Sequence, residues 1–240
     1  MSHADQIRFF DIAARHFPEH FGGRVLDIGA LDINGGPHER ISPREYVGVD
    51  LAEGPNISLV SPGEDVDLPT GSFDVAMSSE CFEHNPHWRA TLHNMIRMTR
   101  GSGLIAFSTA TRGRPEHGTS RSDGGWAAPL PVASGQEYYA NVTPGDVESC
   151  LDDALVPQRF MVLNDRIFDL YFLGLKTPVL PADAVRLEAC HRELHSTYVI
   201  AASYGSTRAF LNNRSRRIAA TVVGDPALEK IRRRWGRVVP

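Results

Sequence analysis

The sequence predicts an α/β fold: a seven-stranded, mostly parallel sheet with helices on both faces, a closing antiparallel hairpin and a helical C-terminal extension. Three observations carry that expectation. Five short apolar segments in the first 110 residues each run into glycine, serine or an acid. Helix-length stretches separate several of them, and two later apolar runs, 159–164 and 168–176, are joined by a short turn. Strands alternating with helix-length connections pair in parallel through crossover helices, whereas strands joined tightly run antiparallel.

The elements follow in chain order. Residues 4–17 place Ile7, Phe9, Phe10, Ile12, Ala13 and Phe17 on one helical face, ended by Pro18 and Gly22-Gly23. "RVLDIGA" (24–30), "EYVGVDL" (45–51), "NISLVS" (56–61), "FDVAMSS" (73–79) and "GLIAFSTA" (103–110) read as strands one to five. The link between strands two and three is short, so that crossover is brief or irregular. Residues 87–100 carry Leu92, Met95, Ile96 and Met98 at helical spacing.

From 111 to 141 the periodicity stops and Gly, Pro and Ser dominate, with Trp126, Tyr138 and Tyr139 among them. A loop of this length is either a lid or substrate loop or a plain surface insertion. Thr143 as N-cap, Pro144 in the first helical position and Asp146 in the first turn open a helix over 143–154. Residues 177–240 exceed what the sheet needs. They read as an extension that packs on the core or makes a homodimer, beside a main domain of 1–176.

Composition narrows the function classes. The chain has 240 residues, 42% hydrophobic and 22% charged, which fits one soluble α/β domain. A net charge of −4 gives no electrostatic case for nucleic acid. The basic stretches "NNRSRR" and "KIRRRWGR" read as solvated helix faces. Cys81, Cys150 and Cys190 are too scattered for a disulfide framework or a zinc knuckle, so a reducing compartment is expected. With no signal core at the N-terminus and no apolar run of about 18 residues, the expected location is cytoplasmic, without a membrane span.

The chemistry-bearing residues stand at carboxyl ends of strands, where open α/β sheets bind ligands. Asp27 and Gly29 end strand one, Asp50 ends strand two, Glu64-Asp65 follows strand three and "SSECFEHN" follows strand four. Glycine lets a backbone approach a ligand closely, and a carboxylate after strand two can accept hydrogen bonds from both hydroxyls of a ribose. A nicotinamide-dependent oxidoreductase would carry G-x-G-x-x-G after strand one, which is absent here.

In this order of features the sequence resembles the class I S-adenosylmethionine (SAM)-dependent methyltransferases, over roughly residues 24–110, with the hairpin as their sixth and seventh strands. The resemblance implies a Rossmann-like sheet and SAM as cofactor. It implies that Asp27 and the backbone of Gly29, Ala30 and Leu31 border the methionine part. Asp50, with Leu51, would hold the ribose, Glu64 or Asp65 would meet adenine, and Ser79 and Glu80 would complete the cofactor site. "DIGAL" has Leu31 where the family's second glycine is usual, and "DINGG" supplies glycines later, so the cofactor loop is expected to be longer than usual.

"ECFEH" follows strand four, close to where the methyl should sit. Glu80, Glu83 and His84 are similar to a Glu-x-x-Glu-His pattern that holds a divalent metal such as Mg2+ in some methyltransferases, with His117 as a candidate fourth ligand. Alternatively His84 or His87 is a general base, since imidazole titrates near neutrality. Or His84 only orients a loop and Glu83 caps a helix. The catalytic candidates are therefore His84, Glu83 and His117.

Tyr138 and Tyr139 either line an acceptor pocket or pin the loop by burial. His191 and His195, four apart without acids, read as structural. A polar, aromatic loop with Arg112, Arg114, Asp123 and Glu137 favours an O-methyltransferase acting on a small polar molecule, preferably a sugar or oligosaccharide. Carboxylate, amine and phenol acceptors stay open. So does a non-catalytic partner protein of the same fold, docking through its Arg-rich C-terminal helices.

Overall fold

The computed structural model describes residues 4–32, 35–122, 137–199, 207–228 and 230. Helix α1 (Ala4–His16) and the single turn α2 (Pro18–Phe21) precede β1 (Arg24–Ile28), β2 (Glu45–Asp50), β3 (Leu59–Val60) and β4 (Phe73–Ser79). Then come α3 (Trp88–Met98), β5 (Thr99–Ala110), α4 (Pro144–Glu148), β6 (Gln158–Asn164) and β7 (Asp169–Leu175). Two longer helices, α5 (Pro181–Tyr198) and α6 (Thr207–Val223), follow. The seven strands form one sheet in the order β3-β2-β1-β4-β5-β7-β6. The first five pair in parallel, and β7 runs antiparallel to β5 and β6. The strand order reverses between β1 and β4, the crevice where such sheets bind ligands.

Three elements differ from the sequence expectation. The third strand shrinks to two residues, because Asn56 adopts φ 69° and its carbonyl tucks into the space a Cβ on Gly48 would fill, at 1.9 Å. The fifth strand begins at Thr99 rather than 103, since Thr99 already pairs with Phe73 ahead of an irregularity in the register. The helix expected over 143–154 keeps its capping box between Thr143 and Asp146 but stops at Glu148. Further on, Asp152 accepts the Ala154 N–H at 2.8 Å in a turn of its own.

The core has one layer on each face of the sheet. On one face α1 and α5 pack together, placing Phe9, Phe10, Phe17, Leu187, Cys190 and Leu194 over Val25, Val75, Met77 and Leu104. On the other, Leu92, Met95, Ile96 and Met98 of α3 cover Leu26, Ile28, Ala76 and Ile105. Each fully buried side chain of this size contributes about 1.5–3 kcal/mol over leaving it in water.

The first helix of the C-terminal extension thus lies in the core. Its polar seams agree with that placement: Arg15 and His16 each meet Glu193 at 2.8 Å, and the Tyr198 hydroxyl donates to the Asp5 carbonyl at 2.7 Å. His191 stacks on Phe160, with ring centroids 4.6 Å apart. Among the described residues no helix is long and apolar enough to cross a membrane.

Candidate active site

The loop after β1 is shaped by glycine. Gly29 has φ 79°, and a Cβ there would lie 2.7 Å from the Cβ of Cys81, so no other residue lets β1 and the segment after β4 approach this closely. The Gly29 and Ala30 amides both bond to the Val49 carbonyl, at 2.8 and 3.1 Å. Asp50 then ties the loop to β2: one carboxylate oxygen accepts from the Leu31 amide at 3.0 Å and the other from the Leu51 amide at 2.7 Å. Leu31 covers Gly54, where a Cβ would meet its side chain at 2.3 Å. The intervening residues Ile33 and Asn34, on which the expected loop length turns, lie outside the described residues.

Asp27 is 3% exposed. Its Oδ2 accepts from the Tyr46 hydroxyl at 2.7 Å, and its Oδ1 is buried without a hydrogen-bond partner. Burial pushes its carboxyl up to about 7, against the pull of Tyr46 and with the help of the nearby Asp50 charge. Tyr46 escaped the sequence reading. Asp27 pairs with Gly48, and a residue two before Gly48 shares its face of the strand, which is the signal that could have found it.

The segment after β3 is pinned to α3. Thr91 donates to Glu64 Oε2 at 3.0 Å, Asn94 donates to the Gly63 and Val66 carbonyls at 2.9 Å each, and Arg97 reaches the Leu68 carbonyl at 2.9 Å. The Glu64 carboxylate therefore faces the helix, and Asp65 faces solvent.

After β4 the chain turns sharply. Glu80 takes φ 51° and its amide bonds to the Ser108 carbonyl at 3.1 Å. Ser79 Oγ lies 3.3 Å from Ser108 Oγ. Phe82 locks the turn by packing against Trp88 and Phe107. Glu83 is consequently driven inward and is fully buried. Its Oε2 accepts from Thr109 at 2.9 Å, while its Oε1 has no hydrogen-bond partner and stands 3.9 Å from His117 Nε2.

The described ends of the 111–141 loop flank this carboxylate. The Ala140 amide bonds to the Glu83 carbonyl at 2.9 Å, and the His84 ring donates to the backbone of Tyr138. Gly118, with φ 68°, presses on the His84 ring, where a Cβ would be 2.8 Å from Cε1. His84, His117 and Tyr139 meet edge to face, with centroids 5.0 to 5.5 Å apart.

His117 Nδ1 lies 3.0 Å from the Pro115 carbonyl, which can only accept, so Nδ1 carries the proton and a neutral ring turns the Nε2 lone pair towards Glu83. Burial pushes the His117 imidazole down to about 4 and lowers His84 as well, with Glu83 opposing both shifts. Burial works to raise the Glu83 carboxyl, but attraction to His84 and His117 in their protonated forms, with the Thr109 hydrogen bond, outweighs it, so the group sits below its ordinary range.

Ligand atoms of Glu83, His84 and His117 lie within 4.8 Å of one another, and Glu80 is not in that group. Glu80 has a left-handed backbone and feels the charge of Asp169, at the start of β7. Asp169 and Glu83 add to burial in raising its carboxyl well above the ordinary range, with Arg114 opposing. Glu80 Oε1 is also buried without a hydrogen-bond partner.

Arg114 donates to the Ile167 carbonyl at 2.5 Å and to Asp169 at 3.2 Å. Gln6 donates to Asp169 at 2.9 Å, and burial raises that carboxyl to about 7. Thr109, Asp169 and Gln6 carried no sequence signal; strand register and the docking of α1 bring them here. His87 is exposed and outside the cluster, Glu137 bonds to Ser120, and Asp123 and Trp126 lie outside the described residues.

Comparison with known proteins agrees with the fold. A family described as a methyltransferase domain matches residues 3–139. No curated protein matches the chain at a significant level. Among solved structures, the 1,6-didemethyltoxoflavin N1-methyltransferase of Burkholderia thailandensis, which holds S-adenosylhomocysteine, is 18% identical with a TM-score of 0.50. That match covers 72% of this chain and 78% of that one. The phosphoethanolamine N-methyltransferase 2 of Haemonchus contortus is 14% identical with a TM-score of 0.50, covering 70% of this chain and 52% of that one.

Proposed function

The chain belongs to the methyltransferase-domain family matched over residues 3–139, and on that premise we propose that it methylates a hydroxyl of a small polar acceptor, with SAM as donor. A sugar or oligosaccharide is the acceptor class to test first. The site fits the cofactor. Asp27 Oδ1 is a buried acceptor without a donor, and the glycine at 29 leaves room where a side chain would stand. Asp50, although it holds two loop amides, keeps lone pairs for a ribose, since a carboxylate has about four acceptor positions. SAM brings an activated methyl group on a sulfonium, so the protein's tasks are alignment, exclusion of water and removal of the acceptor's proton.

One observation carries the hydroxyl reading. His117 Nε2 and Glu83 Oε1 face each other across 3.9 Å, Glu83 fully buried and His117 partly so, and with Nδ1 donating to Pro115 a neutral ring offers its Nε2 lone pair there. That separation is too long for a hydrogen bond and suits a donor entering from the acceptor. Burial lowers the His117 imidazole, which favours the neutral form with an open Nε2. Glu83 then stabilises the imidazolium that forms, and Pro115 keeps the ring in the required tautomer.

The proximity of the Glu83, His84 and His117 ligand atoms supports a second reading, in which these three hold a divalent metal that lowers the pKa of the hydroxyl. Transfer of isotope-labelled methyl from SAM into separated carbohydrate, lipid and small-molecule pools, with and without chelator, tests both. Label should enter a polar hydroxyl-bearing pool, and His117→Ala should lower it by about 100-fold or more while SAM still binds. Retained turnover in His117→Ala removes the base assignment. Loss of label with chelator favours the metal, label in an amine or carboxylate product rejects the hydroxyl, and no label from SAM-binding protein favours the non-catalytic partner.

A further inference from the structure

The C-terminal helix reaches the site from 112 residues away. Helix α6 ends at Gly224, whose φ of 80° turns the chain and whose amide closes on the Ala220 carbonyl at 2.9 Å. The turn delivers Asp225, and its Oδ1 accepts the Gly113 N–H at 2.9 Å. Gly113 in turn lies flat on Phe168, where a Cβ would be 2.6 Å from the ring, and φ 98° reserves the position for glycine. Helix α6 also reaches that ring: the Arg216 and Arg217 guanidinium carbons stand 5.1 and 5.8 Å from the Phe168 centroid. Arg217 also pairs with Asp165, in the same β6–β7 turn.

On the loop side the same residues lead to the reactive cluster. The Phe168 carbonyl accepts the Thr111 amide at 2.8 Å, and Arg114 spans the Ile167 carbonyl and Asp169. The next residue is Pro115, whose carbonyl fixes His117 Nδ1 and lies 3.0 Å from the Tyr139 hydroxyl. Asp225 is among the charges that raise the Tyr139 phenol, after burial, Glu83 and Glu80, with Arg114 opposing. Helix, turn and loop thus form one clasp with His117 at its end.

We infer that Asp225 and Arg217 are positioning residues of the site: through Gly113 and Phe168 they fix segment 113–117 and so keep His117 Nε2 aimed at Glu83. The inference deepens the proposed function, since it assumes that His117 acts on the acceptor. A helix that only covers apolar surface would need no carboxylate on a loop amide and no ion pair to the turn.

The test uses the full chain with Asp225→Ala, Asp225→Asn and Arg217→Ala. Its readouts are hydrogen exchange of the Gly113 amide, the ring 15N shifts that report the His117 tautomer, and calorimetric binding of S-adenosylhomocysteine. Asp225→Ala should lose at least about tenfold of the Gly113 protection and the fixed-tautomer signature, with cofactor affinity unchanged. Asp225→Asn, which keeps Oδ1, should retain both, and Arg217→Ala should repeat the loss by the independent route. Wild-type exchange and ring shifts in Asp225→Ala and Arg217→Ala overturn the inference, as does a parallel loss of cofactor affinity. Should His117→Ala retain turnover, the proposed base fails while these spectroscopic outcomes still decide the clasp.

Discussion

Replacing Asp27 by Asn should flatten the dependence of folding stability on pH between about 4 and 7. Asp27 is buried beneath the cofactor loop, with a single donor, Tyr46, for its two oxygens. Its carboxyl rises from 3.8 to about 7 on folding, burial being the largest cause. The folded state therefore holds the proton more tightly than the unfolded one. The resulting stabilisation is complete below the unfolded value and disappears as pH rises through about 7. Three units at 1.36 kcal/mol each set the full span at about 4 kcal/mol, of which about 3 falls between pH 5 and pH 8.

Urea unfolding of the wild type and Asp27→Asn at both pH values isolates that term, because every other titrating group cancels in the double difference. The wild type should lose about 3 kcal/mol more than the variant on going from pH 5 to pH 8. Tyr46→Phe removes the hydrogen bond that holds the carboxyl down, so its loss of stability should extend to higher pH. Parallel pH profiles for wild type and Asp27→Asn would refute the reasoning.

Two further substitutions probe the same end of the sheet. Asp50→Ala should weaken SAM binding by about 1–3 kcal/mol, the range of charge-assisted hydrogen bonds, and unchanged titration calorimetry would remove Asp50 from the cofactor site. Gly29→Ala should cost about 1–3 kcal/mol in thermal unfolding, combining a left-handed backbone with a Cβ 2.7 Å from that of Cys81. Adding Cys81→Ala should not rescue it, because the obstructing atom is the Cβ; rescue would show that the thiol was the obstacle.

The long strands were legible because their apolar content is itself the reason they are buried. β1, β2, β4 and the β6–β7 pair emerge within two residues of their expected bounds. β3 was overdrawn because its length is set by the fit of Asn56 into the space left by Gly48, which no local pattern records. In the site, Glu83 and His84 were visible as neighbours in one motif, and His117 as a histidine in an irregular loop. The structure brings these three together. Glu80 belonged to the same motif but is not in that group, and its left-handed backbone is nothing the motif records. Asp169 could not be read at all: it reaches the site by pairing with Ala110 across two strands that lie 59 positions apart, and alone it reads as a strand-start acid.

The packing of α1 on α5 also bears on how the chain is made. Phe9, Phe10 and Phe17 leave the ribosome before the residues that cover them, Leu187, Cys190 and Leu194, which come about 170–185 positions later. At ordinary synthesis rates that interval is on the order of ten to forty seconds. For that time an aromatic helix face stays open to chaperones and to other nascent chains, and it is sealed by a helix made after every strand of the sheet.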